Sequence, residues 1–326
     1  MTVPDWTGLS GIDTATRYRL MAERELRGIS PSYEQLCLGV TADDAVLARL
    51  DELPPPKRQP NLLLGAVRFL GGPVTSYAEF RDWVLAQWPR LAATMQERRT
   101  QTNEPRRCAT LLPVLAALPQ PLALLEVGPS AGLCLYPDRY AYRYAGPSRV
   151  HEVGSSAVQL SCTVTGSVPL PEAVPRVVWR AGLDLNPLDV RDAEDVRWLE
   201  ALIWPEQSER FDILRGAVEI ARADPPNLVA GDLLADLPAL AASAPSAATL
   251  VVFHSAVLAY VDAAGRAAFA DTVAELDAVW ISNEAPGVVP GTAVDTGGTS
   301  RFVLARDGVP LALTGPHGHT IDWLAA

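Results

Sequence analysis

The chain has 326 residues, of which 48% are hydrophobic and 20% charged, so it can bury a substantial core and is not a disordered protein. Its formal net charge is −11, which argues against general binding to the phosphate backbone of nucleic acid. The sequence contains neither a long apolar run of membrane-spanning length nor the basic-then-apolar order of a secretory signal. We therefore expect a cytoplasmic protein that binds neither nucleic acid nor membrane.

The reactive residue types exclude several classes of site. Lys57 is the only lysine, and its surroundings fit neither a Walker A loop, nor a pyridoxal Schiff base, nor a serine–lysine hydrolase. The four cysteines are far apart and contain no CxxC pair, and the four histidines form no HExxH motif. The sequence therefore predicts neither a metal site nor a disulfide framework.

Residues 1–118 are predicted to form a helical region with proline-rich breaks and no strand. Ser76 and Glu79 have capping-box spacing, and apolar residues at helical intervals follow them. This pattern predicts one long helix that reaches toward Arg99. A further helix is predicted from Glu104 to Leu118.

Residues 119–326 are predicted to form an α/β domain, because short apolar runs alternate with helical stretches. Such alternation is typical of a doubly wound, mostly parallel, Rossmann-like sheet with helices on both faces. Asp307-Gly308 lies between two apolar runs and predicts an antiparallel hairpin near the carboxyl terminus. Residues 140–172 interrupt the alternation and are expected to be an inserted hairpin or small sheet. The predicted parallel strands cover residues 123–128, 176–182, 227–232, 249–255 and 278–284.

A glycine-containing turn follows the first predicted strand and permits more than one interpretation. As a dinucleotide-binding fingerprint it fails at two of its three glycine positions. As a nucleophile elbow, Gly128-x-Ser130-x-Gly132 matches GxSxG in full, and His317 and His319 lie late in the chain. However, the residues before the turn contain no histidine and no oxyanion-loop motif, so a serine hydrolase using Ser130 is kept as an alternative.

The same turn resembles motif I of the class I S-adenosylmethionine-dependent methyltransferases, (E/D)xGxGxG. Glu126, Gly128 and Gly132 are in register with that motif, and Ser130 replaces its middle glycine. The resemblance extends over the α/β domain. It implies S-adenosylmethionine as cofactor, methyl transfer to a small molecule, and contacts between these four residues and the cofactor. Small residues would let the backbone approach the ligand closely.

The methyltransferase resemblance also implies acids at the ends of the second and third strands. Asp184 would bind the ribose hydroxyls, although it lies 58 residues after Glu126 and would need the insertion at 140–172 to absorb the excess length. Asp232 would meet the adenine amino group. Each has a structural alternative: Asp184 in a strand-ending turn, and Asp232 as a helix N-cap.

Further candidates follow from the rule that the carboxyl ends of parallel strands border the ligand crevice. His254 and Glu284 end the fourth and fifth predicted strands, so we predict His254 as a general base and Glu284 as the residue that orients it or contacts substrate. Asn103 and Arg107 precede the first strand, and Tyr260 follows the fourth; all three are candidate substrate contacts. A core histidine and a solvated turn are the corresponding structural alternatives.

The chain as a whole is also similar to a bacterial family to which no activity is assigned. The segments that carry this similarity are TNEPRRCATLLP, ALLEVGPSAGLCLYPDRYAYRY, GLDLNPLDV, RWLEALIWPEQSER and FHSAVLAY. A non-catalytic binding protein that keeps a methyltransferase-like fold is therefore a further alternative, because a fold does not by itself imply its usual activity.

Overall fold

The computed structural model describes residues 12–101 and 103–324. Contacts divide the described chain into two compact units. One contains residues 12–101 and 191–212 and is helical, and the other contains residues 103–190 and 213–324 and carries the sheet. The domain boundary that we predicted at residue 118 remains a prediction. In the structure the helix just before it, Arg107–Ala116, belongs to the unit that carries the sheet.

The helices are numbered in chain order. They are α1 (Thr14–Met21), α2 (Pro31–Thr41), α3 (Asp44–Asp51), α4 (Pro60–Phe69), α5 (Tyr77–Ala86), α6 (Trp88–Glu97), α7 (Arg107–Ala116), α8 (Ala193–Leu202), α9 (Ser208–Ala223), α10 (Leu237–Ala241) and α11 (Ala263–Ala274). None of the helices in the described ranges is both long enough and apolar enough to cross a membrane.

The long helix predicted after Ser76 is two helices, α5 and α6. Pro89 lies in the first turn of α6, where its missing N–H costs no helical hydrogen bond. The same proline inside one continuous helix would remove a bond and clash with the preceding turn, which is why the chain breaks at Gln87. Ser76 does occupy the N-cap position of α5, but its side chain makes no capping hydrogen bond.

The strands form one sheet of eleven, in the spatial order β3-β2-β4-β11-β10-β9-β8-β7-β1-β5-β6. They are β1 (Leu122–Val127), β2 (Ala141–Ala145), β3 (Val150–Val153), β4 (Gln159–Thr165), β5 (Val177–Asp184), β6 (Asn227–Ala230), β7 (Thr249–Ser255), β8 (Val279–Glu284), β9 (Phe302–Arg306), β10 (Val309–Thr314) and β11 (Thr320–Trp323). All five predicted parallel strands and the predicted hairpin are present.

The parallel part of the sheet runs β6-β5-β1-β7-β8, so the chain moves outward from β1 in both directions. This is a doubly wound sheet, and its topological switch point lies between β1 and β7. β9 is antiparallel to β8, and β10 is antiparallel to β9. The α/β architecture with antiparallel carboxyl-terminal strands is therefore confirmed.

The insertion does not form a separate sheet. Its strands β2, β3 and β4 extend the main sheet, because β4 pairs in parallel with β11. β11 was not predicted, since it has only four residues and carries an aspartate.

Candidate functional site

The carboxyl edge of the parallel strands has two faces, which the strand register separates. Glu126 is opposite Phe253 of β7, whereas Leu125 is opposite Val252, so alternation along the strands places Glu126 and Ser255 on one face. His254 is opposite Ser282, and Glu284 lies two residues further along β8 on that second face. We refer to these as the Glu126 face and the Glu284 face.

Glu126 ends β1 in a buried position, with 6% of the residue exposed. Its Oε2 atom is buried and makes no hydrogen bond to any part of the chain that the structure describes. Burial raises the pKa of Glu126 well above its ordinary value, Cys134 and Asp184 add to that shift, and the Arg107 guanidinium opposes it. Glu126 therefore has an unused acceptor at the sheet edge.

Gly128 begins the turn with a left-handed backbone, φ +69°, and donates its N–H to the carbonyl of Leu183 at 2.9 Å. A Cβ atom added here would lie 2.5 Å from Cγ2 of Val257. The turn thus requires glycine for two reasons, its dihedral angle and its close contact with Val257. In this structure the glycine makes room for a side chain of the protein itself.

Ser130 also has a positive φ, +53°, and all its polar atoms are bonded within the protein. Its N–H donates to Oδ2 of Asp184 at 2.8 Å, its carbonyl accepts from the N–H of Leu188 at 3.0 Å, and its Oγ accepts from Nδ2 of Asn103. Asn103 additionally accepts from the N–H of Ala131 at 3.0 Å. Asn103, predicted to contact substrate, instead holds the turn through its amide.

The chain after Gly132 does not enter an α-helix. It forms one short 3-10 turn, Leu133–Leu135, and then β2. A nucleophile elbow requires a strand, a sharp turn and a helix, and its oxyanion site uses the N–H after the serine. Here the helix is replaced by the short turn, and that N–H, on Ala131, is bonded to Asn103.

Two predicted cofactor acids cap turns. Asp184 accepts the N–H groups of Ser130 and Asn186, each at 2.8 Å, so it joins the end of β5 to the glycine turn. Asp232 accepts the N–H groups of Leu234 and Ala235 at 2.8 and 3.2 Å. Asp184 therefore serves the structural role that was kept as its alternative, and it also lies directly at the predicted site. Asp232 caps the turn before α10, whose N-cap is Asp236 and not Asp232.

On the Glu284 face, His254 is completely buried and both its ring nitrogens are bonded. Its Nδ1 lies 2.7 Å from Oε1 of Glu284, and its Nε2 accepts from the indole N–H of Trp280 at 3.0 Å. Its ring also packs edge-on against Phe269 at 5.5 Å between centroids. Both nitrogens are used inside the apolar core, so His254 has no nitrogen for a substrate and this geometry does not provide the predicted base.

Glu284 has a matching structural role. Its Oε1 accepts from His254 and from the N–H groups of Val257 and Leu258, at 2.8 and 3.1 Å. The residue is 1% exposed. Glu284 is hydrogen-bonded to His254, and the pair fixes the segment after β7 from inside the core.

A buried polar group on the Glu126 face was missed from sequence. Thr314 donates to Oδ1 of Asn283 at 2.6 Å, and Nδ2 of Asn283 donates to Oγ of Ser255 at 3.0 Å. Arg107 donates to the carbonyls of Ser255 and Pro316 at 2.9 and 3.0 Å. Polar residues within the apolar runs VVFHS and VWISNE were the available signal.

Tyr260 lies after β7 with about half of its surface exposed (48%). Burial raises the pKa of Tyr260, and the charge of the Arg107 guanidinium opposes that shift. The structure thus brings Glu126, Arg107 and Tyr260 to one edge of the sheet.

The other features that could bind a ligand contain none of the predicted site residues. Within the described ranges, no cluster of three or more His, Cys, Asp or Glu side chains could hold a metal ion. A cavity of about 390 Å³ lies beside β2, β3 and β4, and its lining includes Arg149 and His151 but none of the predicted site residues.

The chain belongs to a bacterial family described as an uncharacterized protein conserved in bacteria (DUF2332), which matches residues 15–323. Comparison with curated proteins and with solved structures gave no match.

Proposed function

We propose that the Glu126 face of the sheet binds S-adenosylmethionine and that the protein transfers a methyl group to a small molecule. The single observation that carries this proposal is Oε2 of Glu126, a buried acceptor without a partner among the described residues, at the end of β1 and two residues before Gly128. Burying such an oxygen unbonded is unfavourable, and a ligand ammonium would satisfy it.

The residues at this edge fit the cofactor's polar groups in two places. Glu126 is an acceptor for the ammonium of the amino-acid end. Asp184 uses one lone pair on each carboxylate oxygen for a backbone N–H, and a carboxylate has about four such positions, so it retains capacity for the ribose hydroxyls. Asp232 is not included, because its capping bonds account for it.

When bound, S-adenosylmethionine would supply an activated methyl group on its sulfonium, so the protein would only need to align the acceptor with it. Asn103 and Asp184 hold the glycine turn in one conformation from two sides. His254 takes no part in this proposal. Its ring nitrogens are both bonded in the core, on the other face of the sheet.

Isothermal titration with S-adenosylhomocysteine tests the proposal without a known acceptor. We expect the wild-type protein to bind, and Glu126→Gln to bind at least about tenfold more weakly, because a charge-assisted hydrogen bond is lost. Glu152→Gln is the matched control, since Glu152 is a solvent-exposed carboxylate on β3. No binding by the folded wild-type protein would overturn the proposal.

A serine hydrolase using Ser130 is the second candidate, and the positive φ of Ser130 between two glycines favours it. A fluorophosphonate probe tests it. Labelling of the wild-type protein that disappears in Ser130→Ala would replace methyl transfer with this second candidate. We expect no labelling, because Oγ of Ser130 is bonded to Asn103 and the adjacent Ala131 N–H is occupied.

A further inference from the structure

Arg107 is a buried residue, with 7% of its surface exposed. Its Nε and Nη1 donate to two backbone carbonyls, those of Pro316 and Ser255. Its Nη2 has no hydrogen-bond acceptor in the described chain, and no carboxylate there forms an ion pair with it. A buried positive charge is thus anchored by neutral groups only, which is unfavourable without a further partner.

A second buried arginine in the same unit, Arg180, does have a carboxylate partner. Arg180 has a side chain that is also 7% exposed, and its Nη2 donates to Oδ2 of Asp138 at 2.8 Å. Its Nη1 donates to the carbonyl of Leu135. The protein therefore neutralises one buried guanidinium with its own carboxylate and leaves the other, at the sheet edge, without one.

Ser255 provides a second donor next to Arg107. Thr314 donates to Asn283, and Asn283 donates to Oγ of Ser255, so the hydroxyl of Ser255 accepts on one side. No acceptor for its own proton is present among the residues that the structure describes. The backbone carbonyl of Ser255 accepts from Nη1 of Arg107 at 2.9 Å, so the two residues are in direct contact. The buried chain of bonds leaves the Ser255 hydroxyl free to donate outward.

From this arrangement we infer that Arg107 and Ser255 bind the carboxylate of an acidic small molecule at the switch point of the sheet. A planar carboxylate matches one guanidinium edge and one hydroxyl. A phosphate dianion matches less well, because it needs more donors than one guanidinium edge and one hydroxyl supply. Tyr260 is half-exposed and lies five residues after Ser255, in the short turn that follows β7, so we expect an aromatic acid to bind better than a short aliphatic one.

This inference rests on the proposed function only in identifying the acid as the methyl acceptor. Carboxylate binding itself requires no cofactor. The competing source of the carboxylate is the amino-acid end of the cofactor, and the experiment must separate the two.

The test is isothermal titration of the full chain with benzoate, acetate and inorganic phosphate. We expect saturable binding of benzoate, weaker binding of acetate, and at least about tenfold weaker benzoate binding by Arg107→Gln. Arg107→Lys keeps the charge but loses the planar guanidinium, so its affinity for benzoate should lie between those of the wild type and Arg107→Gln. Ser255→Ala should weaken binding severalfold. Arg180→Gln is the matched control for loss of a buried arginine and should leave benzoate affinity unchanged.

Three results would overturn the inference: no benzoate binding by the wild-type protein, phosphate binding as tight as benzoate binding, or unchanged benzoate affinity in both Arg107 variants. A fourth comes from titrating S-adenosylhomocysteine and methylthioadenosine, which lacks the amino-acid end. If Arg107→Lys weakens only the former, Arg107 holds the cofactor's own carboxylate. Benzoate binding without binding of S-adenosylhomocysteine would support the inference and overturn the proposed function.

Discussion

Two glutamates end neighbouring parts of the parallel sheet, and each has one buried oxygen without a partner. Oε1 of Glu284 accepts three hydrogen bonds, from a histidine ring and two backbone N–H groups. Glu126, on the opposite face, accepts none from the described residues. Burial alone therefore does not distinguish a structural acid from a candidate binding acid, whereas the number of donors that the protein itself supplies does.

The two faces of the sheet also differ in the residues that surround each glutamate. The Glu284 face carries the rings of Phe269 and Trp280, and there Oε1 of Glu284 is bonded to His254, which accepts from Trp280. The Glu126 face holds a guanidinium and a hydroxyl whose bonds stop short of a final acceptor. An incomplete network in a buried position is the feature that a bound molecule could complete.

The largest effect expected from this comparison is in Glu284→Ala. It leaves two backbone N–H groups and the His254 ring without their acceptor in the core, so we expect the free energy of unfolding to fall by about 3–4 kcal/mol. Urea denaturation measures it. Affinity for S-adenosylhomocysteine should not change in the folded fraction. A loss below about 1 kcal/mol would mean that Glu284 is not the structural member of the two.

Gly128→Ala should lower the free energy of unfolding by less than Glu284→Ala. A Cβ atom at residue 128 would clash with the side chain of Val257, whose N–H is bonded to Glu284. The positive φ and the 2.5 Å contact should together cost about 2–3 kcal/mol. Gly132→Ala is the matched control, since its φ is also positive but its nearest neighbour is 3.1 Å away, and we expect about 1 kcal/mol there.

Val257→Ala in the Gly128→Ala background should recover part of the lost stability, as measured by thermal or urea denaturation. Equal losses for the two glycine variants, with no recovery, would show that backbone strain alone governs the turn.

Glu126→Gln should change the free energy of unfolding least and, unlike the other variants, should raise it. Burial raises the pKa of Glu126 above its ordinary value of 4.5, so above that pH the unfolded chain is ionised while the folded protein retains the proton. Wild-type stability should therefore decline as pH rises through the folded pKa. The glutamine variant lacks this term and should be more stable by about 1–2 kcal/mol at pH 8.

The difference between Glu126→Gln and the wild type should vanish at pH 4, and thermal melts at both pH values measure it. A difference that does not vary with pH would show that the folded and unfolded chains bind the Glu126 proton equally. A wild type more stable than the variant at pH 8 would show that the protein itself stabilises the ionised carboxylate.

Much of the sheet was predictable, because the parallel strands are short apolar runs bounded by turns and the Asp307-Gly308 turn specifies a hairpin. The break at Gln87 was missed because the apolar spacing continues across it, and only Pro89 signals it. β11 was missed because four residues give too short a pattern.

The position of the candidate site was predictable, but the orientation of its side chains was not. Strand ends correctly placed Glu126, Asp184 and His254 at one edge of the sheet. The sequence does not say which face each side chain occupies, and since successive residues alternate, His254 points into the core while Ser255 points to the Glu126 face. Asn103 lies outside the sheet pattern altogether, and only the folded chain brings its amide to the turn.

The parallel pairing of β4 with β11 has a consequence for how the chain is made. Thr163 of β4 donates its N–H to the carbonyl of His319, and the two strands are separated by nearly half of the sequence. During synthesis the strands β2 to β4 emerge long before β11. The edge of β4 that pairs with β11 therefore remains unpaired until residues 320–323 have been synthesised. Until then it is an unpaired strand edge that chaperones would be expected to cover.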